Sequence, residues 1–134
     1  MLKITAIVAA VLALMLVYLS LAVIKLRTKN KVGLGSGGHD DLERAIRAQG
    51  NFAEYAPIAL LLLACLEANG FPPSLVAAFG LTFVVGRLIH IKGINTPPPD
   101  FSNRVLGMKI TFGVILTLAI VNAGWAIGVL FHLV

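Results

Sequence analysis

The sequence holds a single cysteine, Cys65, so no intramolecular disulfide can form and no thiolate metal site is indicated. Cys65 lies in the apolar run 58–66, where a small, buried and inert side chain is expected. Charge is scarce too. Asp, Glu, Lys and Arg make up 13% of the residues, where a soluble domain carries about 25%. The three histidines, His39, His90 and His132, lie far apart and suggest no metal site. Gly33-Leu34-Gly35-Ser36-Gly37 lacks the Lys-Ser/Thr that a phosphate-binding loop needs. Six acidic residues stand against eleven basic ones, a net charge of +5. That excess does not imply nucleic acid, because the basic residues cluster in two short segments between apolar spans.

What the chain has in abundance is apolar surface: 58% of residues are hydrophobic and the mean hydropathy is +0.92. Soluble domains carry about 45–50% apolar residues, so this is the composition of a membrane protein. The length allows one domain over residues 1–134. The pattern predicts an all-α, integral membrane four-helix bundle, its helices at about 3–26, 41–68, 73–92 and 103–132, each able to supply the ~20 residues a bilayer core demands. The uncharged stretch 4–24 exceeds the ~7–15-residue core of a signal peptide, and Lys25, Arg27, Lys29 and Lys31 stop it, so a retained helix is expected.

Local signals set the helix ends. Asp40-Asp41-Leu42-Glu43 offers a capping box to the second helix, and Asn69-Gly70 closes it. Pro57 lies inside that helix and leaves the Ala53 carbonyl without its usual partner. The segment 95–100, with Pro97, Pro98 and Pro99, cannot be helical, and Ser102 or Asn103 is expected to cap the fourth helix.

Ten of the eleven basic residues border the first and third loops: Lys25, Arg27, Lys29, Lys31, Arg44 and Arg47 at one, Arg87, Lys92, Arg104 and Lys109 at the other. Only Lys3 lies at the opposite side. The positive-inside rule puts both loops in the cytoplasm and both termini outside.

Arg44, Arg47, Asn51 and Glu54 follow one another at steps of three, four and three residues and so share one helix face. Arg47 and Glu54 are two turns apart, about 10 Å, too far for a direct ion pair within the helix. A charge at mid-membrane costs about 2.5–3.5 kcal/mol, so Glu54 requires a cation from another helix or another subunit. Arg87 and His90, one turn apart on the third helix, and Arg104, at the start of the fourth, lie toward the same side. The surplus of arginine over Glu43 and Glu54 suits an anionic ligand. One copy of so short a chain cannot enclose a large cavity, so a ligand site calls for neighbouring subunits.

The segment Glu43-Arg44-Ala45-Ile46-Arg47-Ala48-Gln49-Gly50-Asn51-Phe52-Ala53-Glu54-Tyr55-Ala56-Pro57 resembles the second-helix signature of the MAPEG family, membrane-associated proteins in eicosanoid and glutathione metabolism. Val85-Gly86-Arg87-Leu88-Ile89-His90 resembles the family's third-helix segment, and the similarity to small bacterial inner-membrane members covers essentially the whole chain. The resemblance implies a homotrimer in the inner membrane, with glutathione as co-substrate bound between subunits near the cytoplasmic side. It assigns glutathione contacts to Arg47, Gln49, Asn51, Glu54, Tyr55, Arg87 and His90, and formation of the thiolate to Arg104. Arg27 is a further candidate contact. The activity implied is that of a transferase or peroxidase acting on hydrophobic electrophiles or lipid hydroperoxides that enter from the bilayer; no metal is implied.

Two positions depart from the family pattern. Ile94 and Met108 stand where the leukotriene-forming and prostaglandin-forming branches each have a tyrosine. Two other readings therefore remain: a non-catalytic membrane protein that keeps the polar network as structure, and a transporter or channel subunit. Against the latter, the fourth helix has no ionisable group between Lys109 and His132, so no continuous polar path crosses the bilayer.

Overall fold

In the computed structural model, which describes residues 1–131, the chain forms four helices and, among those residues, no strand. They are α1 (Lys3–Asn30), α2 (Asp40–Ala68), α3 (Pro73–Asn95) and α4 (Phe101–Leu130). All four are long and apolar enough to cross a membrane. Short connections make successive helices antiparallel neighbours. The α3–α4 contact is the most extensive, α1 packs on α2 and α3, and α1 does not meet α4 within the chain.

Small residues set the α3–α4 distance, as expected where lipid removes the hydrophobic drive between helices and close backbone approach replaces it. A Cβ on Gly107 would lie 2.5 Å from the His90 backbone nitrogen, and one on Gly93 would lie 2.6 Å from the Arg104 nitrogen. Gly86 packs in the same way on Ile110. These glycines leave no room for a side chain, and the seam they make presses the last turns of α3 against the start of α4.

The helix ends differ from expectation in instructive ways. Helix α1 runs one turn past residue 26, because Arg27 and Lys29 suit the negative end of the helix dipole. Lys31 then closes it in a left-handed conformation (φ 53°), with the Lys31 and Val32 amides bonded back to Thr28 and Arg27. The capping box at α2 does not form. His39 is the N-cap and gives no side-chain bond, while Asp41 accepts from the Leu42 amide at 2.8 Å. The cap of α4 is Asp100, whose carboxylate accepts from the Asn103 amide at 3.0 Å and from the Asn103 side chain. Ser102 and Asn103 fall inside the helix instead, since the Pro-rich turn ends on Asp100 in an extended conformation. Asn69 closes α2 as expected, and Pro57 lies within the uninterrupted helix. The expected end of the fourth helix at residue 132, and His132 itself, lie outside the described residues.

The opposite end of the bundle is tied by side-chain to main-chain bonds. Glu67, near the end of α2, accepts from the Ile4 and Thr5 amides at 2.9 and 2.7 Å, satisfying free N–H groups of the first turn of α1. Asn122 donates to the Leu62 carbonyl, and the Trp125 indole donates to the Asn69 carbonyl while its ring meets Phe71 edge-on. Cys65 is exposed on the outer face of α2, not buried in the bundle as its apolar neighbours suggested. In a lipid-facing helix an apolar run does not distinguish inside from outside.

Candidate functional site

Arg87 is fully buried, the largest side chain in the chain to be so. A buried cation requires hydrogen-bond partners, and Arg87 has several. Its Nη2 donates to Asn51 Oδ1 at 2.6 Å, and its Nη1 donates to Thr111 Oγ1 at 3.2 Å and lies 3.7 Å from the Met108 sulfur. The guanidinium also sits 5.9 Å from the centre of the Tyr55 ring, which meets Phe112 edge-on. These partners are all neutral. Thr111 in turn donates to the Gly107 carbonyl at 2.8 Å, so the network is rooted in the α3–α4 seam. The Arg87 Nε is buried and has no partner among the described residues.

One turn along α3, His90 is buried and its Nδ1 lies 2.9 Å from the Arg104 carbonyl oxygen. A carbonyl only accepts, so Nδ1 carries the proton and Nε2 is left as an acceptor. Nε2 is buried without a partner among the described residues, as is the Arg104 Nε. Arg104 itself is half-buried. Its place is fixed from three sides: His90 holds its carbonyl, Asp100 accepts from its amide at 3.1 Å, and Gly93 packs against its main chain.

The α2 stripe divides between two environments. Asn51 and Tyr55 turn inward to Arg87. Arg47 and Glu54 stand exposed on the surface of the chain. Gln49 is two residues from both Arg47 and Asn51, which puts it on the far flank of the helix, against Ser20 of α1 at 3.4 Å. Arg27, also on α1, donates to the Gly35 carbonyl at 3.0 Å and so braces the loop that follows. One chain therefore brings together Asn51, Tyr55, Arg87, His90 and Arg104, leaves Arg47 and Glu54 at its edge, and holds Gln49 apart. Ile94 is buried, and Met108 turns its sulfur to Arg87.

Thr111 and Phe112 join this cluster without having been expected from the sequence, and Met108 was marked there only as a departure from the family pattern. A signal for them exists in the spacing, since 104, 108, 111 and 112 share the face of α4 that meets α3 and α2.

The MAPEG family pattern matches residues 5–124 of this chain. The chain belongs to the MAPEG family. It is 35% identical over 119 residues to the inner membrane protein YecN of Escherichia coli strain K12, an alignment that covers 89% of each chain. YecN of the O6:H1 strain matches to the same extent. Human microsomal glutathione S-transferase 2 is 28% identical over 107 residues, which covers 79% of this chain and 70% of that one. As a MAPEG protein with four helices long and apolar enough to cross a membrane, the chain is a multi-pass membrane protein.

Proposed function

We propose that this MAPEG protein is a glutathione-dependent transferase or peroxidase of the inner membrane, a homotrimer whose sites lie between adjacent copies at the cytoplasmic side, with both termini outside. The observation that carries the reading is the division of the α2 stripe. Arg47 and Glu54 are exposed in the single chain, beside a buried arginine held only by neutral groups. Opposite charges at the edge of a polar cluster suit a ligand that carries both signs. Glutathione does, with two carboxylates and one ammonium: Arg47 can fork a carboxylate, Glu54 can pair with its ammonium, and Asn51 and Tyr55, held in place by the buried Arg87, can complete the contacts.

Gln49 fits this scheme as the contribution of the next copy. It faces away from Arg47 and toward α1, where Ser20 and Arg27 lie. If α1 of one copy packs on the exposed stripe of its neighbour, Gln49 and Arg27 reach the site from the other side.

Arg104 is the thiolate stabiliser in this scheme. A free thiol has a pKa of about 8.5, and each unit by which a neighbouring cation lowers it corresponds to about 1.4 kcal/mol. The thiolate sulfur attacks the electrophilic carbon, the C–S bond forms, and the leaving group departs with the bonding pair. With a lipid hydroperoxide, two glutathiones are oxidised to their disulfide while the hydroperoxide is reduced to an alcohol and water. An apolar slot of about 330 Å³ between α1 and α2, lined by Ala13, Leu16, Ala53 and Pro57 among others, runs down from the Gln49 flank and suits an apolar acceptor drawn from the bilayer.

The test is conjugation of a chlorodinitrobenzene-type electrophile by the purified protein with glutathione, which should be lost in Arg104→Ala. The non-catalytic reading has one observation in its favour: Arg87 already has its partners inside the chain. It predicts no turnover and no thermal shift with glutathione, yet destabilisation of the oligomer by Glu54→Gln.

A further inference from the structure

Two separate cavities lie along the flank of α1 that meets α3. At the end carrying the basic loops, a cavity of about 210 Å³ is lined by Tyr18, Ala22 and Leu26 of α1, Asp41 and Arg44 of α2, and Asn95 of α3. Farther along the same two helices lies a second, almost wholly apolar cavity of about 350 Å³, bounded by Ile4, Val8 and Val11 on one side and Gly80 and Val84 on the other. Both cavities use one face of α1: Ile4, Val11, Tyr18, Ala22, Lys25 and Lys29 recur at steps of seven, seven, four, three and four.

The charges at the polar end favour one class of ligand. Arg44 and Asp41 line the cavity itself, and Lys25 and Lys29 stand exposed on the same face of α1, Lys25 beside Leu26 at its edge and Lys29 about one turn beyond. Three cations thus surround one carboxylate, an excess that suits an anionic head. Arg44 matches a phosphate diester with a bidentate fork, and its half-buried position holds that fork in place. Asp41 and Asn95 can accept hydrogen bonds from hydroxyls beyond the phosphate. Lys25 and Lys29 add the electrostatic attraction that basic residues at a helix end exert on anionic lipid.

The dimensions agree. One leaflet of a bilayer core is about 15 Å deep, half of ~30 Å. Ala22 and Val11 are separated by eleven residues of α1, about 16 Å at ~1.5 Å per residue. An acyl chain that begins below a head at Ala22 therefore lies along Tyr18 and reaches Val11, and the apolar cavity continues beyond it toward the other end of α1.

We infer that the polar cavity formed by α1, α2 and the end of α3 is a binding site for an anionic glycerophospholipid with a hydroxyl-bearing head, its phosphate on Arg44 and its acyl chain along Tyr18 and Val11. The cavity opens on the flank of α1 opposite Ser20 and Arg27, so it is separate from the proposed glutathione site and does not depend on it.

Native mass spectrometry of the purified protein in detergent tests this, with dioleoyl phosphatidylglycerol, phosphatidylethanolamine and phosphatidylcholine added at equal concentration. Phosphatidylglycerol should be retained several-fold over the other two. Arg44→Gln should reduce its retention to their level, and so should Ala22→Phe, which fills the head cavity without changing charge. Leu116→Phe, on the exposed face of α4, should leave it unchanged, and circular dichroism of each variant checks that the helices are intact. Equal retention of all three lipids overturns the inference. So does retention unaffected by both cavity variants in helical protein. Displacement of the phospholipid by millimolar inorganic phosphate would assign the pocket to the soluble ion and would also overturn it.

Discussion

Asn51 Oδ1 accepts a 2.6 Å hydrogen bond from Arg87 Nη2, so a fully buried cation is held across two helices by a neutral amide. The carboxylate one turn farther along α2, Glu54, stays exposed. The polar network is thus only partly satisfied inside the chain, since Arg87 Nε, His90 Nε2 and Arg104 Nε lack partners among the described residues, and it is not neutralised there.

Asn51→Ala leaves one arm of Arg87 without its acceptor in a buried setting. The loss should be about 1–3 kcal/mol of stability, the cost of a buried polar group left unpaired. Denaturation of the detergent-solubilised protein reads it directly, and Asn51→Gln should recover little, because the longer amide displaces the guanidinium.

Gly107 faces the His90 main chain with no space for a methyl group. Gly107→Ala should force α3 and α4 apart at about 1–3 kcal/mol, the usual cost of overpacking. Arg104 moves with the start of α4, so glutathione binding should weaken beyond what the lost stability accounts for. Calorimetric titration at a temperature where the variant remains folded separates the two effects.

Asp100 caps the helix that carries Arg104. Asp100→Ala should cost about 0.5–2 kcal/mol and fray the first turn of α4. Asp100→Asn keeps an acceptor for the Asn103 amide and should recover much of the loss. Comparing the melting temperatures of the two variants tests the cap against a simple charge effect.

Glu67 accepts from the Ile4 and Thr5 amides. In Glu67→Ala those two amides should exchange with solvent much faster, while amides in the middle of α1 keep their protection. Hydrogen exchange read by mass spectrometry on the N-terminal peptide measures this.

The helices were legible because four apolar runs separated by charged or proline-rich segments admit few alternatives in a bilayer. Their caps were less so. Asp40, Asp41, Ser102 and Asn103 all have capping chemistry, and only the path of the preceding turn decides that His39 and Asp100 take the positions. The α2 stripe could be read from its spacing, and so could its neighbours Arg87, His90 and Arg104 from their common side of the membrane. Which groups touch was not written there. Asn51, and not Glu54, meets Arg87, and that choice is a property of how α2 packs on α3 and not of the spacing along α2. Gln49 illustrates the converse: its spacing from Arg47 and Asn51 already places it on the other flank, as its bond to Ser20 bears out.

The cluster around Arg87 and Arg104 is proposed to bind glutathione as a thiolate. The most direct measurement is the ultraviolet difference spectrum on titrating glutathione into the purified protein. The wild type should show a saturable thiolate band that is absent in Arg104→Ala. A wild-type spectrum equal to the sum of the separate protein and glutathione spectra would contradict it.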